Sequence, residues 1–121
     1  MEVKLAVSLH APNQALREKI MPIAKVYPLD KLMKTIDAYV KATDNRIFYE
    51  YIMIKNITDT PEIAKELVTL LQGRLAHVNL IPYNENPAID LKESDSTRIA
   101  KFKKILEDGG ITVTSRASMI S

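Results

Sequence analysis

The sequence predicts an α/β protein assembled from parallel β/α units. Three observations carry this. Strand-like and helix-like stretches alternate in the order β-α-α-β-α-β-α-β. Each strand is followed by a helical stretch rather than a tight turn, and parallel neighbours need such long, right-handed crossovers. Polar strings follow the first and third strands directly, where the loops of a parallel sheet converge.

The first strand is Val3-Lys4-Leu5-Ala6-Val7-Ser8-Leu9, ending in His10-Ala11-Pro12. Asn13 is placed to cap a helix through Leu16 and Ile20, which must stop before Pro22 because the residue preceding proline disfavours the α region. A second helix begins around Pro28, with Leu29, Leu32, Met33, Ile36, Tyr39 and Val40 recurring at helical spacing. Arg46 to Ile54 is the second strand, rich in aromatic and β-branched residues. Residues 56–60 read as a loop, and Asp59 or Thr60 caps a helix with Pro61 at its first position. Its stripe is Ile63, Leu67, Leu70 and Leu71, and Gly73 closes it. Ala76 to Ile81 is the third strand, running into Pro82-Tyr83-Asn84. A polar loop over 85–94 leads to a cap at Asp95 or Ser96. The last helix carries Ile99, Phe102, Ile105 and Leu106, ends at Gly109-Gly110, and gives way to a strand over Ile111 to Thr114.

The 121 residues suffice for one domain, read as 1–121, and are short for a closed eight-stranded barrel. With 17 basic against 15 acidic side chains, the net charge of +2 argues for no particular partner. The absence of cysteine excludes disulfides, thiolate zinc sites, cysteine nucleophiles and an iron–sulfur cluster held by this chain. No run of about 18 apolar residues spans a membrane, and the start lacks the pattern of a signal peptide. The expectation is a cytoplasmic protein without a membrane partner.

Ser8, Leu9 and His10 after the first strand and Asn84 after the third are the candidate site residues. Pro82 cannot donate to a ladder and marks where pairing stops, and Asn84 offers both a donor and an acceptor. The plain alternative for each is a loop or turn former. His77 reads as a packed or edge histidine, and Lys101, Lys103 and Lys104 as a solvated helix face. Glu50 has two open placements, the lumen of a barrel or solvent. The three glycines form no phosphate loop, and the two histidines form no zinc motif, so neither chemistry is expected.

The string Leu5-Ala6-Val7-Ser8-Leu9-His10-Ala11-Pro12-Asn13, with Leu16-Arg17 and Met21-Pro22-Ile23, resembles the radical S-adenosylmethionine (SAM) enzymes that methylate adenine C2 in large-subunit ribosomal RNA. The likeness continues through Tyr27-Pro28-Leu29, Phe48-Tyr49-Glu50-Tyr51, His77 to Asn84, and Ser96 with Arg98-Ile99. It covers nearly the whole chain, and its specific parts are Ser-Leu-His-Ala-Pro-Asn and Asn-Leu-Ile-Pro-Tyr-Asn. The resemblance implies roughly the second, C-terminal half of a partial (β/α)6, TIM-like barrel. It implies SAM contacts at Ser8, Leu9, His10 and Asn84, and rRNA or tRNA as partner of the full-length enzyme. It further implies a [4Fe–4S] cluster that cleaves SAM reductively, after a second SAM has methylated a cysteine. The radical then moves that carbon onto the adenine.

Three departures accompany it. The Cys-x3-Cys-x2-Cys motif is expected ahead of Met1, and the glycine-glutamate-proline segment is missing. The methyl-carrying cysteine has no counterpart, since Met119 and Ile120 stand where the family has Arg and Gly, a tail that is diverged or truncated. The expectation is a fragment inactive alone that pairs with an N-terminal half or with itself. The competing readings are a non-catalytic half-barrel module that binds no SAM, and an unrelated α/β domain with a phosphate or nucleotide ligand.

Overall fold

The computed structural model describes residues 5–115, the side chains of Pro22 and Ile23 excepted. Val3 and Lys4 of the expected first strand, and the tail with Met119 and Ile120, lie outside the described residues. Four parallel strands, β1 (Leu5–Ser8), β2 (Ile47–Met53), β3 (Ala76–Pro82) and β4 (Thr112–Ser115), form one sheet in the order β1-β2-β3-β4. The helices are α1 (Gln14–Ile20), α2 (Leu29–Thr43), α3 (Pro61–Leu71) and α4 (Ser96–Asp108). A 3-10 turn, Pro22–Lys25, which the sequence pattern did not suggest, separates α1 from α2.

The helix starts follow from their caps. The Asn13 side chain accepts from the Leu16 N–H, Thr60 from Ile63 and Asp95 from Arg98. Each satisfies a backbone donor left free in a first turn. Pro28 stands at the N-cap of α2 rather than inside it. Of the paired cap expectations, Thr60 and Asp95 hold the position, which releases Asp59 for another task. At the far end of α4, a Cβ on Gly109 would lie 2.6 Å from Val68 Cγ1, so glycine is what lets α4 close onto α3.

Strand side chains alternate between faces, and here the faces differ in kind. Ile47, Tyr49, Tyr51, Met53, Val78, Leu80 and Val113 are buried with Met33 and Ile36 of α2, Leu67 of α3, and Phe102 and Leu106 of α4. The Tyr51 and Phe102 rings lie 5.2 Å apart, an arrangement that contributes about 0.5–1.5 kcal/mol beyond area burial. The opposite face carries Ala6, Ser8, Phe48, Glu50, Ile52, His77, Asn79, Ile81, Thr112 and Thr114, none of them buried. Register sets Ser8, Glu50, Asn79 and Thr114 in one polar row across it. Helices α2, α3 and α4 therefore cover one face, and the opposite face is mixed rather than apolar. This places Glu50 on the face that α2, α3 and α4 leave open.

Candidate functional site

The carboxyl end of β1 is held in an unusual backbone conformation by three neighbours. The Leu9 and His10 N–H groups both donate to the Glu50 carbonyl, at 3.0 and 3.4 Å. From α1, the buried Arg17 donates through Nε to the Leu9 carbonyl at 3.1 Å and through Nη2 to the Ser8 carbonyl at 3.3 Å. Its Nη1 is buried without a partner among the described residues. His10 takes φ of 61°, the left-handed region that L residues enter only when their surroundings enforce it.

That conformation aims the His10 ring at β2. Its Nδ1 accepts from the Ile52 N–H at 2.9 Å, so the ring proton belongs on Nε2. Burial holds the imidazole below its ordinary value near 6.5; Glu50 opposes this and the Arg17 cation reinforces it. His10 is thus a neutral ring with Nε2–H as its free donor. Ser8 stands exposed on the open face. The Leu9 side chain is fully buried on the helix side, and its N–H and carbonyl are both engaged. Leu9 sets the spacing between Ser8 and His10 and presents no side chain to the rim.

The ends of β2 and β3 complete the rim. Ile52 pairs with Ile81 and Met53 with Pro82, and pairing stops there as the proline requires. Beyond it Tyr83 is half-buried and Asn84 exposed. A cavity of about 690 Å3 opens at this end, with Leu16 and Ile20 of α1, Ile52, Ile54 and Tyr83 among its lining. The two polar strings thus share one end of the sheet and meet through Ile52, which His10 bonds, Ile81 pairs and the cavity touches.

Sequence reasoning missed the residues that shape the loops. Thr58 is buried, its hydroxyl accepting from the Ile54 N–H and donating to the Ile52 carbonyl, both at 2.7 Å. The buried Tyr51 hydroxyl donates to the Thr58 carbonyl at 2.7 Å. Asp59, first read as a cap, is buried and bound to three donors from two loops. The Thr58 partners are local, but Ser94 and Arg98, which bind Asp59, lie more than 30 residues away, so the local pattern announced only a loop. On the open face, His77 stacks against Phe48 at 5.1 Å, and its Nε2 lies 3.0 Å from the Thr114 hydroxyl, which donates to Asn79 Oδ1 at 3.2 Å. His77 is a packed residue of the face, as expected.

Among the described residues no group of three His, Cys, Asp or Glu side chains could hold a metal, and the sequence has no cysteine. A [4Fe–4S] cluster does not fit this chain's donors. The chemistry present suits SAM better: a neutral ring N–H on His10, an exposed amide on Asn84 and an apolar recess that neither lines but that Ile52 and Tyr83 do. No helix among the described residues is long and apolar enough to cross a membrane.

No family model matches the chain. A radical SAM methyltransferase from Sphaerobacter thermophilus has a crystal structure that superposes with a TM-score of 0.93 at 43% identity, over 98% of this chain and 35% of that one. A domain of a pyruvate-formate lyase-activating enzyme from Bacteroides vulgatus, 16% identical, shares the fold alone, with a TM-score of 0.76 over 93% of this chain and 66% of that one. Sequential parallel strands, one-sided helices and these likenesses define the class: a segment of a radical SAM barrel.

The curated relatives narrow this. A probable dual-specificity RNA methyltransferase RlmN of Dictyoglomus thermophilum is 50% identical over 118 residues, 98% of this chain and 34% of that protein. The protein of the same description from Caldanaerobacter subterraneus subsp. tengcongensis is 45% identical over 119 residues, 98% of this chain and 35% of that protein. The chain is similar to these RNA methyltransferases along nearly its whole length, and it spans about a third of the length of the curated relatives it matches.

Proposed function

We propose that this chain, residues 1–121 as one domain, supplies part of the SAM-binding rim of a radical SAM RNA methyltransferase that modifies adenine C2 in large-subunit rRNA and in tRNA. The [4Fe–4S] cluster and the methyl-carrying cysteine reside in the remainder of such an enzyme, and this chain is inactive without it. What supports the reading is that His10 bonds to Ile52, which pairs with Ile81 and lines the recess with Tyr83, so the strings holding Ser8 and Asn84 both leave the sheet at this end. The His10 Nε2–H and the Ser8 hydroxyl bind polar groups of the ribose or the amino-acid portion of SAM, and Asn84 meets the hydrogen-bonding edge of the adenine. The apolar recess beside Tyr83 takes the flat face of the base. When bound, SAM is the source of the radical and of the methyl carbon; these side chains bind and orient it and exclude water.

The open face and the exposed β1 edge favour a partner, the N-terminal part of the barrel in the cytoplasm, over an isolated monomer. Calorimetry with SAM tests the cofactor reading. The wild-type chain is expected to bind, and Asn84→Ala to bind about tenfold more weakly, as for one lost polar contact of about 1.4 kcal/mol. Wild-type protein with no SAM affinity, alone or with the cluster-bearing part co-expressed, would remove this reading and favour a half-barrel module that binds no cofactor.

A further inference from the structure

We infer that Asp59 is a positioning residue whose buried carboxylate ties together the two loops that wall the rim cavity, and so sets the shape of the SAM site. The inference rests on the cofactor reading above for the identity of the ligand, but its geometry is independent of that reading. The Asp59 side chain has 0% exposure. Its Oδ1 accepts from the Asn56 N–H at 2.8 Å and from Arg98 Nη1 at 3.3 Å, and its Oδ2 accepts from the Ser94 hydroxyl at 2.6 Å. Asn56 belongs to the loop after β2; Ser94 and Arg98 belong to the end of the β3–α4 loop and the first turn of α4. An unpaired buried carboxylate is costly, so the residue is held there only because donors from both loops converge on it.

The backbone confirms that the loops are joined. The Lys55 N–H donates to the Lys92 carbonyl at 2.8 Å, the Ser94 N–H to the Met53 carbonyl at 3.4 Å, and Ile54 and Glu93 form an antiparallel bridge. Between β3 and this seam the chain runs out over the cavity. Tyr83, Ile89 and Leu91 from this segment and Asn56 and Ile57 from the loop after β2 all line the cavity. Asp59 reaches one wall through Asn56 and the other through Ser94. A neutral amide in its place loses the charge that Arg98 pairs with and keeps one acceptor oxygen, so it holds the Ser94 hydroxyl only if that hydroxyl turns from donor to acceptor.

The test uses the 121-residue chain and amide hydrogen exchange, with SAM as the ligand probe. In Asp59→Asn, exchange at Lys55 and Ser94 is expected to rise about tenfold or more while Tyr49 and Val78 in the sheet stay protected. SAM affinity is expected to fall about tenfold alongside. Ser94→Ala should reproduce part of both changes and add little in the Asp59→Asn background, because the two residues share one bond. Asp37→Asn, which breaks the exposed Arg74 pair elsewhere, should change neither readout. A uniform rise in exchange across the sheet, or unchanged exchange at the seam, overturns the inference. So does full SAM affinity in Asp59→Asn. If the wild-type chain binds no SAM, the cofactor reading falls, while the exchange pattern still decides whether Asp59 joins the loops.

Discussion

Replacing Thr58 by valine removes a hydroxyl while nearly preserving side-chain volume, and the structure gives the cost of that single change. The hydroxyl receives the Ile54 N–H and donates to the Ile52 carbonyl, each at 2.7 Å, at a residue with no exposure. Valine leaves the Ile54 N–H buried with no acceptor, worth about 1–3 kcal/mol, and forfeits the bond to Ile52, worth about 0.5–1.5 kcal/mol. The sum is about 3 kcal/mol, or on the order of 10 °C in Tm for a domain of this size. Thr58→Ser keeps both bonds and loses one buried methyl, about 1 kcal/mol. Urea unfolding should therefore order the midpoints wild type, then serine, then valine, at constant m. If valine proves as stable as serine, the hydroxyl does not hold the turn. The account of how β2 delivers Asn56 and Ile57 to the cavity then fails with it.

Gly109→Ala should destabilise by about 1–3 kcal/mol because the new Cβ meets the stiff Val68 side chain at 2.6 Å; pairing it with Val68→Ala should recover part of that loss in thermal melts. The folded-state pKa of His10 lies below its unfolded value near 6.5, chiefly through burial, so its contribution is present above that pH and lost as pH falls toward the folded value. His10→Asn tolerates the left-handed backbone, and it should flatten the dependence of urea midpoint on pH between about 6.5 and 5. An equally steep profile would show that the proton is taken up elsewhere. Burial pushes the Tyr49 phenol up to about 12, so its stabilisation is present below pH 10 and lost as pH rises toward 12. Ultraviolet titration of wild type against Tyr49→Phe should show the missing phenol ionising well above pH 10 or only on unfolding.

What the sequence made legible is what local chemistry decides. Asn13, Thr60 and Asp95 cap helices because a short polar side chain reaches a donor two or three residues on. Pro82 ends a strand because it has no N–H to give. The rest is decided by residues far apart in the chain. Nothing near His10 requires φ of 61°; that follows from Glu50, Arg17 and Ile52. Asp59 looks like a cap until Ser94 and Arg98 arrive from another loop. The one-sided cover of the sheet was partly written in β2, where polar Glu50 interrupts the outward set. Apolar Phe48 and Ile52 on the same face hid the alternation, so lumen and solvent stayed equally open for Glu50.

Strand order settles which kind of site the fold can offer. A doubly wound sheet binds nucleotides where its strand order reverses and helices part to opposite faces. Here the order is β1-β2-β3-β4 with no reversal, and the buried face alone packs on α2, α3 and α4. Among the described strands there is no switch point, so they offer no doubly wound nucleotide cleft. Sequential strands with helices on one side form a wall of a barrel, and barrel chemistry belongs at the carboxyl rim and the upper concave face. That is where His10, Tyr83 and Asn84 stand. The polar row from Ser8 through Glu50 and Asn79 to Thr114 makes sense on a face that lines a lumen. On the outside of a complete, isolated sheet the half-buried Phe48, Ile52 and Ile81 flanking that row would have no such purpose.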